Sequence, residues 1–275
     1  MKYEEFFLMM NHNPMVDWPH QSLVNGFPSL QTGRIVLFEG SLNVNEWLLL
    51  SVAANELQDG RTVYWIDGGT RFDPGRFLPL IRAGRIETEE CMQRMYVCRG
   101  FTAHQLSEQI HSVCNNLEIK NIQQENDTRL LVISDMPMMY GDGQVRIEEG
   151  CSMLRRALLL LQRIAAEQGC LVLLSHRSSG KHFLSWVLRH QLYAIVNERF
   201  VCSHERKSGV MTATWCKGWK SIKWNPNKTI QMRLDAFDQH QSESTGILDV
   251  PLETWCSPHP KAERIADTER NAIGT

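Results

Sequence analysis

Beyond about residue 33 the chain alternates short apolar runs rich in Val, Ile and Leu with longer segments whose apolar residues recur at helical spacing. Arg34 to Glu39 reads as a strand. Asn45 to Leu57, apolar at 47, 48, 50, 52, 53, 54 and 57, reads as a helix covered by its neighbours and stopped by Gly60. Thr62 to Ile66 is a second strand, and Pro74 to Ala83 a short helix with proline in its first turn. Tyr96 to Cys98 is a brief strand, and Thr102 caps a helix running to about Asn115. Polar Ile119 to Thr128 reads as a loop. Arg129 to Ser134 and Leu171 to Leu174 are near-continuous apolar strands of the kind buried on both faces, on either side of a long helix, Arg146 to Gln168. After residue 194 the β-rich runs Ile195 to His204 and Val210 to Lys217 flank Glu205-Arg206-Lys207-Ser208-Gly209, a hairpin signal. Thr229 to Leu234 is a further strand candidate, and polar residues dominate from Asp238 to Thr245.

Strands joined by helices enforce a parallel sheet with ligand sites beyond the carboxyl ends of its strands. The pattern therefore predicts an α/β fold. Its central sheet is mostly parallel and flanked by helices, and an antiparallel hairpin follows. An N-terminal arm over 1–32, a core domain over 33–250 and a loose tail over 251–275 are the expected divisions.

Composition narrows the class. Of 275 residues 43% are hydrophobic and 22% charged, with a formal net charge of −2, as in an ordinary globular protein. The longest apolar runs fall far short of the roughly 20 residues of a membrane span. Glu4 and Glu5 before a short apolar stretch do not make a secretory signal, so an intracellular protein is expected, nuclear in a eukaryote and otherwise cytoplasmic. The eight cysteines show no C-x-x-C spacing and read as reduced thiols. Cys202, His204 and Cys216 lack an evident fourth ligand, so no metal is expected.

The strand–loop–helix order over 34–57 is where a phosphate-binding loop would lie. Against G-x-x-x-x-G-K-[ST], residues 40–47 keep only Gly40; Glu46 stands at the lysine and Trp47 at the magnesium-binding hydroxyl. A second strand–loop–helix, Leu171 to Ser175 followed by Gly180-Lys181-His182, has glycine and lysine but neither the first glycine nor the final hydroxyl.

Taken in order, several segments resemble the RecA/RadA recombinase superfamily, in particular its divergent paralogs. Gly26-Phe27-Pro28 with Gly33-Arg34-Ile35-Val36 is similar to the family's lead-in to its first core strand. Tyr64-Trp65-Ile66-Asp67 with Phe72-Asp73-Pro74-Gly75-Arg76 resembles its second strand and F-x-P-x-R continuation. Leu130 to Asp135 resembles a Walker B strand. The Trp186 helix, the hairpin ending at Lys217 and Gly246-Ile247 resemble its C-terminal sheet. The resemblance covers about residues 26–248. It implies a RecA-like P-loop NTPase fold with a degenerate nucleotide site at Gly40, Glu46, Trp47, Gly69 and Asp135. A glutamate in place of lysine turns an attraction for phosphate into a repulsion of roughly 4 kcal/mol at about 4 Å. Trp47 is expected to fill phosphate space. Gly69 stands where the family has its catalytic glutamate, which leaves no general base. The implied protein is a pseudo-ATPase with no catalytic residue, no cofactor, and ATP and magnesium binding lost or weak.

The resemblance also implies two loops facing DNA, Met136 to Gln144 and Ser175 to Lys181, the second carrying Arg177 and Lys181. Independently, residues 205–228 hold Arg206, Lys207, Lys217, Lys220, Lys223 and Lys228 against Glu205, a charge of +5, interleaved with Trp215, Trp219 and Trp224. Cations beside exposed indoles can follow phosphates and stack bases, whereas buried indoles with solvated lysines would be core or interface. Arg177, Lys181, Arg206, Lys207, Lys217, Trp219, Lys220, Lys223 and Trp224 form the candidate DNA set. The expected role is that of an accessory subunit in homologous recombination and DNA repair. It would bind single-stranded or branched DNA, a related RecA-like subunit or a recombinase, in a hetero-oligomer and away from membranes. The alternative is a RecA-like scaffold without a DNA role, comparable to the structural subunits of Elongator.

Overall fold

The computed structural model describes residues 15–69, 72–122, 128–178 and 186–226. Its frame is an eight-stranded sheet. The strands in chain order are β3 (Ile35–Gly40), β4 (Thr62–Asp67), β5 (Met95–Arg99), β6 (Thr128–Ser134), β7 (Leu171–Arg177), β8 (Glu198–Glu205), β9 (Val210–Trp215) and β10 (Lys220–Trp224). A small antiparallel pair, β1 (Met15–Val16) with β2 (Leu30–Gln31), precedes them. Across the sheet the order is β10-β9-β8-β3-β7-β6-β4-β5. Every pairing from β8 to β5 is parallel, and β8-β9 and β9-β10 are antiparallel. The mostly parallel sheet with a C-terminal hairpin is the architecture that the alternating pattern predicted.

Eight helices connect the strands among the described residues: α1 (Gln21–Gly26), α2 (Leu42–Gln58), α3 (Pro74–Arg82), α4 (Thr88–Gln93), α5 (Ala103–Ile122), α6 (Met136–Tyr140), α7 (Ile147–Gln168) and α8 (Trp186–Ile195). They form two layers because alternate strand residues point to opposite faces. One face of the sheet, including Val36, Phe38, Trp65, Leu173 and Phe200, is covered by α2, α3, α4 and the chain from Val16 to Leu30. The other, including Ile35, Leu37, Ile66, Ile133 and Leu174, is covered by α5, α6, α7 and α8. In α7 the buried Leu154, Ala157, Leu158, Leu161, Ile164 and Ala165 form a single stripe, as an amphipathic helix on a sheet requires. By contrast α2 is buried nearly all round, which explains its low amphipathicity in the sequence.

Four expectations change. The stretch expected as an arm packs, from Val16 on, into the main core: Val16, Trp18, Leu23, Phe27 and Leu30 are buried, and Trp18 meets Phe200 edge-on at 5.3 Å. The polar segment 119–128 is helical to Ile122, because α5 continues past Asn115. β7 runs on to Arg177 rather than stopping at Leu174. The polar Lys220-Ser221-Ile222-Lys223-Trp224 is a strand, β10, held by β9. The strand candidate Thr229 to Leu234 and the tail lie outside the described residues. Among the described residues no helix is long and apolar enough to cross a membrane.

Candidate functional site

Crossovers leaving adjacent strands on opposite faces open a crevice at the carboxyl ends of those strands. Here β3 leads into α2 on one face, and its neighbour β7 leads towards α8 on the other. The same divergence separates β4 from β6. The crevice is therefore bordered by Gly40, Asp67, Ser134, Asp135, Ser175, His176 and Arg177.

β3 passes into α2 through Ser41 alone, and Leu42 to Glu46 is already helical. The wide loop that would wrap a phosphate between Gly40 and residue 46 is absent. Gly40 itself has φ +118, and a Cβ there would lie 2.2 Å from the Cys202 carbonyl oxygen. It is glycine because β8 comes close: the next residue, Ser41, donates its N–H to that carbonyl at 2.8 Å.

The crevice is lined by carboxylates that the chain itself satisfies. Glu46 accepts from Arg76 of α3 at 2.7 Å. Asp67, fully buried, accepts from Arg99 Nε and Nη2, both at 2.9 Å, from Ser134 Oγ at 2.8 Å and from the Phe72 N–H at 3.2 Å. Asp67 and Arg99 are direct register partners on β4 and β5, so the fork is preset by strand pairing. Asp135, at φ 51, accepts from the Arg177 N–H at 3.1 Å, and its own N–H donates to Ser175 Oγ at 2.9 Å. The carboxylate expected as a Walker B relic thus ties β6 to β7. Gly69 sits in the bend after β4.

Trp47 does not fill phosphate space. Its ring turns to Trp224 on β10, with centroids 5.8 Å apart, and joins the core on that face. Glu39, one residue before Gly40, accepts from Tyr193 Oη at 2.5 Å and pairs with Arg199 at 3.3 Å. The Arg199 guanidinium lies over the Tyr193 ring at 4.2 Å. Burial, then the hydrogen bond to Glu39 and its charge, pushes the Tyr193 phenol up to about 12.

His176 is 1% exposed, and neither ring nitrogen has a hydrogen-bond partner among the described residues. Burial pulls its pKa down to about 4, only partly opposed by Asp135, so the imidazole is neutral. Asn45 donates to the His176 carbonyl at 3.2 Å. Ser175 and His176 do not form a nucleophile–base pair, since Ser175 Oγ is held by the Asp135 N–H. Burial raises the Cys98 thiol to about 11 and Cys114 and Cys170 to about 12, and raises Cys202 further. These are unreactive thiols. Among the described residues no three His, Cys, Asp or Glu are grouped to hold a metal ion, and Cys202, His204 and Cys216 do not converge.

The cationic segment divides. Because β8 runs with β3 and β9 against it, the turn bearing Arg206 and Lys207 lies at the carboxyl edge, on the same side as Arg177. The turn from Cys216 to Trp219 lies at the opposite, amino edge. The segment is therefore not one surface. Trp219 is 86% exposed, whereas Trp224 is 4% exposed and offers no face to a base. Lys220 and Lys223 are exposed on alternate faces of β10, and Lys217 reaches Glu198 at 3.6 Å. Lys181, with the Gly180-Lys181-His182 turn, lies outside the described residues. The sequence quotes Asp67 and Arg76 only as parts of a family pattern; their pairing with Arg99 and Glu46 depends on register and helix placement, which spacing does not carry.

No protein-family model matches the chain, and no curated protein is a significant match to it.

Proposed function

We propose that the chain is a non-catalytic paralog of the RecA/RadA superfamily. It acts as an accessory subunit in homologous recombination and DNA repair, within a hetero-oligomer, and it binds DNA or a recombinase rather than turning over ATP. The observation that carries the pseudo-ATPase part is the closed crevice: α2 starts at Leu42, and Glu46–Arg76 and Asp67–Arg99 occupy the edge where a nucleotide would enter. The sheet order, parallel through β8 with an antiparallel hairpin beside β3, supports the RecA-like reading. With α2 beginning at Leu42 the wide loop that would wrap the phosphates is missing, and Glu46 stands where its lysine would be, so magnesium–ATP lacks that wrap and its counter-charge.

The test is a titration with fluorescent ATP, with and without magnesium, of the wild type and of the Glu46→Lys, Trp47→Thr double variant. Neither protein saturates, because the substitutions return the side chains but not the loop. Saturable, magnesium-dependent binding by the wild type would overturn the reading.

One observation favours the scaffold alternative. The face of β8 to β10 bearing Val201, Ser203, Thr212, Thr214 and Ser221 is largely uncovered, with Val201 39% exposed and Lys223 its exposed cation on β10. A subunit used only for assembly would form a tight complex through that face and ignore DNA at every salt concentration.

A further inference from the structure

The β9–β10 turn at the amino edge carries a second kind of chemistry. Trp219 sits at φ 52, in the left-handed region where a bulky residue is a conformational outlier, and its ring is 86% exposed. Two unfavourable features coincide on one residue. The turn beneath it is firmly built. Trp215 donates Nε1–H to Glu198 at 2.7 Å, and Gly218 lies against the Trp215 ring so closely that a Cβ there would come within 2.1 Å of it. The platform fixes the turn and leaves the Trp219 indole projecting.

Lys217 and Lys220 flank it in the chain. Lys217 is 68% exposed, Lys220 stands directly across from Trp215 in the strand register, and Arg34 at the start of β3 is 40% exposed. Glu198 is shared between Arg34 at 3.3 Å and Lys217 at 3.6 Å, so one carboxylate answers two cations and Lys220 adds a third positive charge to the edge. A groove lined by Pro28, Gln31 and Arg34 adjoins. An occupant of this surface must bring negative charge and a planar ring to lie on the indole. A protein surface supplies the charge without a ring at each step, and a duplex hides its base faces in its own stack. Single-stranded nucleic acid supplies both at every nucleotide.

We infer that the amino-edge turn, with Trp219 as stacking platform and Lys217, Lys220 and Arg34 as phosphate contacts, is a binding site for single-stranded nucleic acid. The inference rests on the DNA-binding arm of the proposed function. It moves the contact to the edge opposite the Arg177 loop and the Arg206–Lys207 turn.

The experiment is fluorescence anisotropy of a labelled oligothymidylate at several salt concentrations, with the full chain. Trp219→Ala is expected to weaken binding about ten-fold, within the range measured for one stacked base. The Lys217→Ala, Lys220→Ala pair is expected to flatten the log–log salt slope by about 1.4, at about 0.7 per phosphate contact. Trp219→Gly, which suits the left-handed backbone, should lose affinity equally while the thermal midpoint holds or rises, which separates binding from folding. Arg206→Ala with Lys207→Ala should leave affinity unchanged. If that carboxyl-edge pair abolishes binding and Trp219→Ala does not, the inference is overturned while the DNA-binding reading stands. If the wild type binds no oligonucleotide at low salt, both fall and the scaffold alternative takes their place. Equal binding of heparin, with no effect of Trp219→Ala, would reduce the site to bare charge and overturn the stacking.

Discussion

Gly40 shows how one residue type can carry two meanings. In the sequence it opens a phosphate-loop template; in the fold its missing side chain makes room for a carbonyl of β8. Gly40→Ala is therefore expected to cost at least about 2 kcal/mol, from the left-handed backbone and the clash together, measured by urea denaturation. A cost under about 0.5 kcal/mol would mean that the two strands do not approach as described. Asp67 is the second residue whose role the spacing concealed. Its partner Arg99 is 32 positions away and becomes adjacent only once β4 and β5 pair in register. Asp67→Ala leaves the Arg99 guanidinium and the Ser134 hydroxyl unanswered, and should destabilise by about 3 kcal/mol in the same assay. Asp67→Asn should fall between it and wild type, since the amide still reaches Ser134.

At the level of elements, the apolar runs were legible because a strand buried on both faces can hardly be anything but hydrophobic. Ends and edges were not. α2 begins earlier than its apolar pattern suggests, since Leu42, Asn43 and Val44 carry no glycine to hold a loop open. β10 escaped notice because an edge strand with one buried side chain at its end has no alternation strong enough to see: Lys220, Ser221 and Lys223 are exposed and Trp224 is buried. Sequence could not sort the three neighbouring tryptophans either, because an indole in a core and an indole on a surface look alike until their strand faces are known. Trp224→Ala is expected to lower stability by about 3–5 kcal/mol, as for a large side chain removed from a core, and to leave oligonucleotide affinity unchanged at temperatures where the fold persists. Loss of affinity in a fully folded Trp224→Ala protein would show that the Trp47–Trp224 contact is not where that ring spends its time.

Across the whole molecule, stability should carry the mark of His176. Its folded pKa, about 4, lies below the ordinary 6.5 of the unfolded chain, so the unfolded state takes up the proton first as pH falls. The neutral imidazole therefore costs nothing above about pH 6.5 and becomes progressively unfavourable towards pH 4. A loss of about 2 kcal/mol between pH 7 and pH 5 follows. Denaturation midpoints of wild type and His176→Leu at both values give the check, because the carboxylates titrate alike in each and the difference isolates the imidazole. Parallel falls in the two proteins would sink the assignment. Such a buried group, without a hydrogen-bond partner among the described residues, is invisible in sequence, where nothing marks His176, at the end of an apolar run, as lying inside the core.

The position of β3 bears on how the chain is made. It is the first strand of the main sheet to leave the ribosome, yet it pairs only with β7 and β8, the nearer of which begins about 130 residues later. At synthesis rates of about 5–20 residues per second, Ile35-Val36-Leu37-Phe38 waits roughly ten seconds for its first neighbour. β4, β5 and β6 can assemble meanwhile, but they do not cover it. A nascent chain in that interval presents a sticky, unpaired centre to its surroundings. Fragments ending before Leu171 should accordingly be recovered as aggregates or bound to chaperones, and the sheet should close only when its middle is filled from behind.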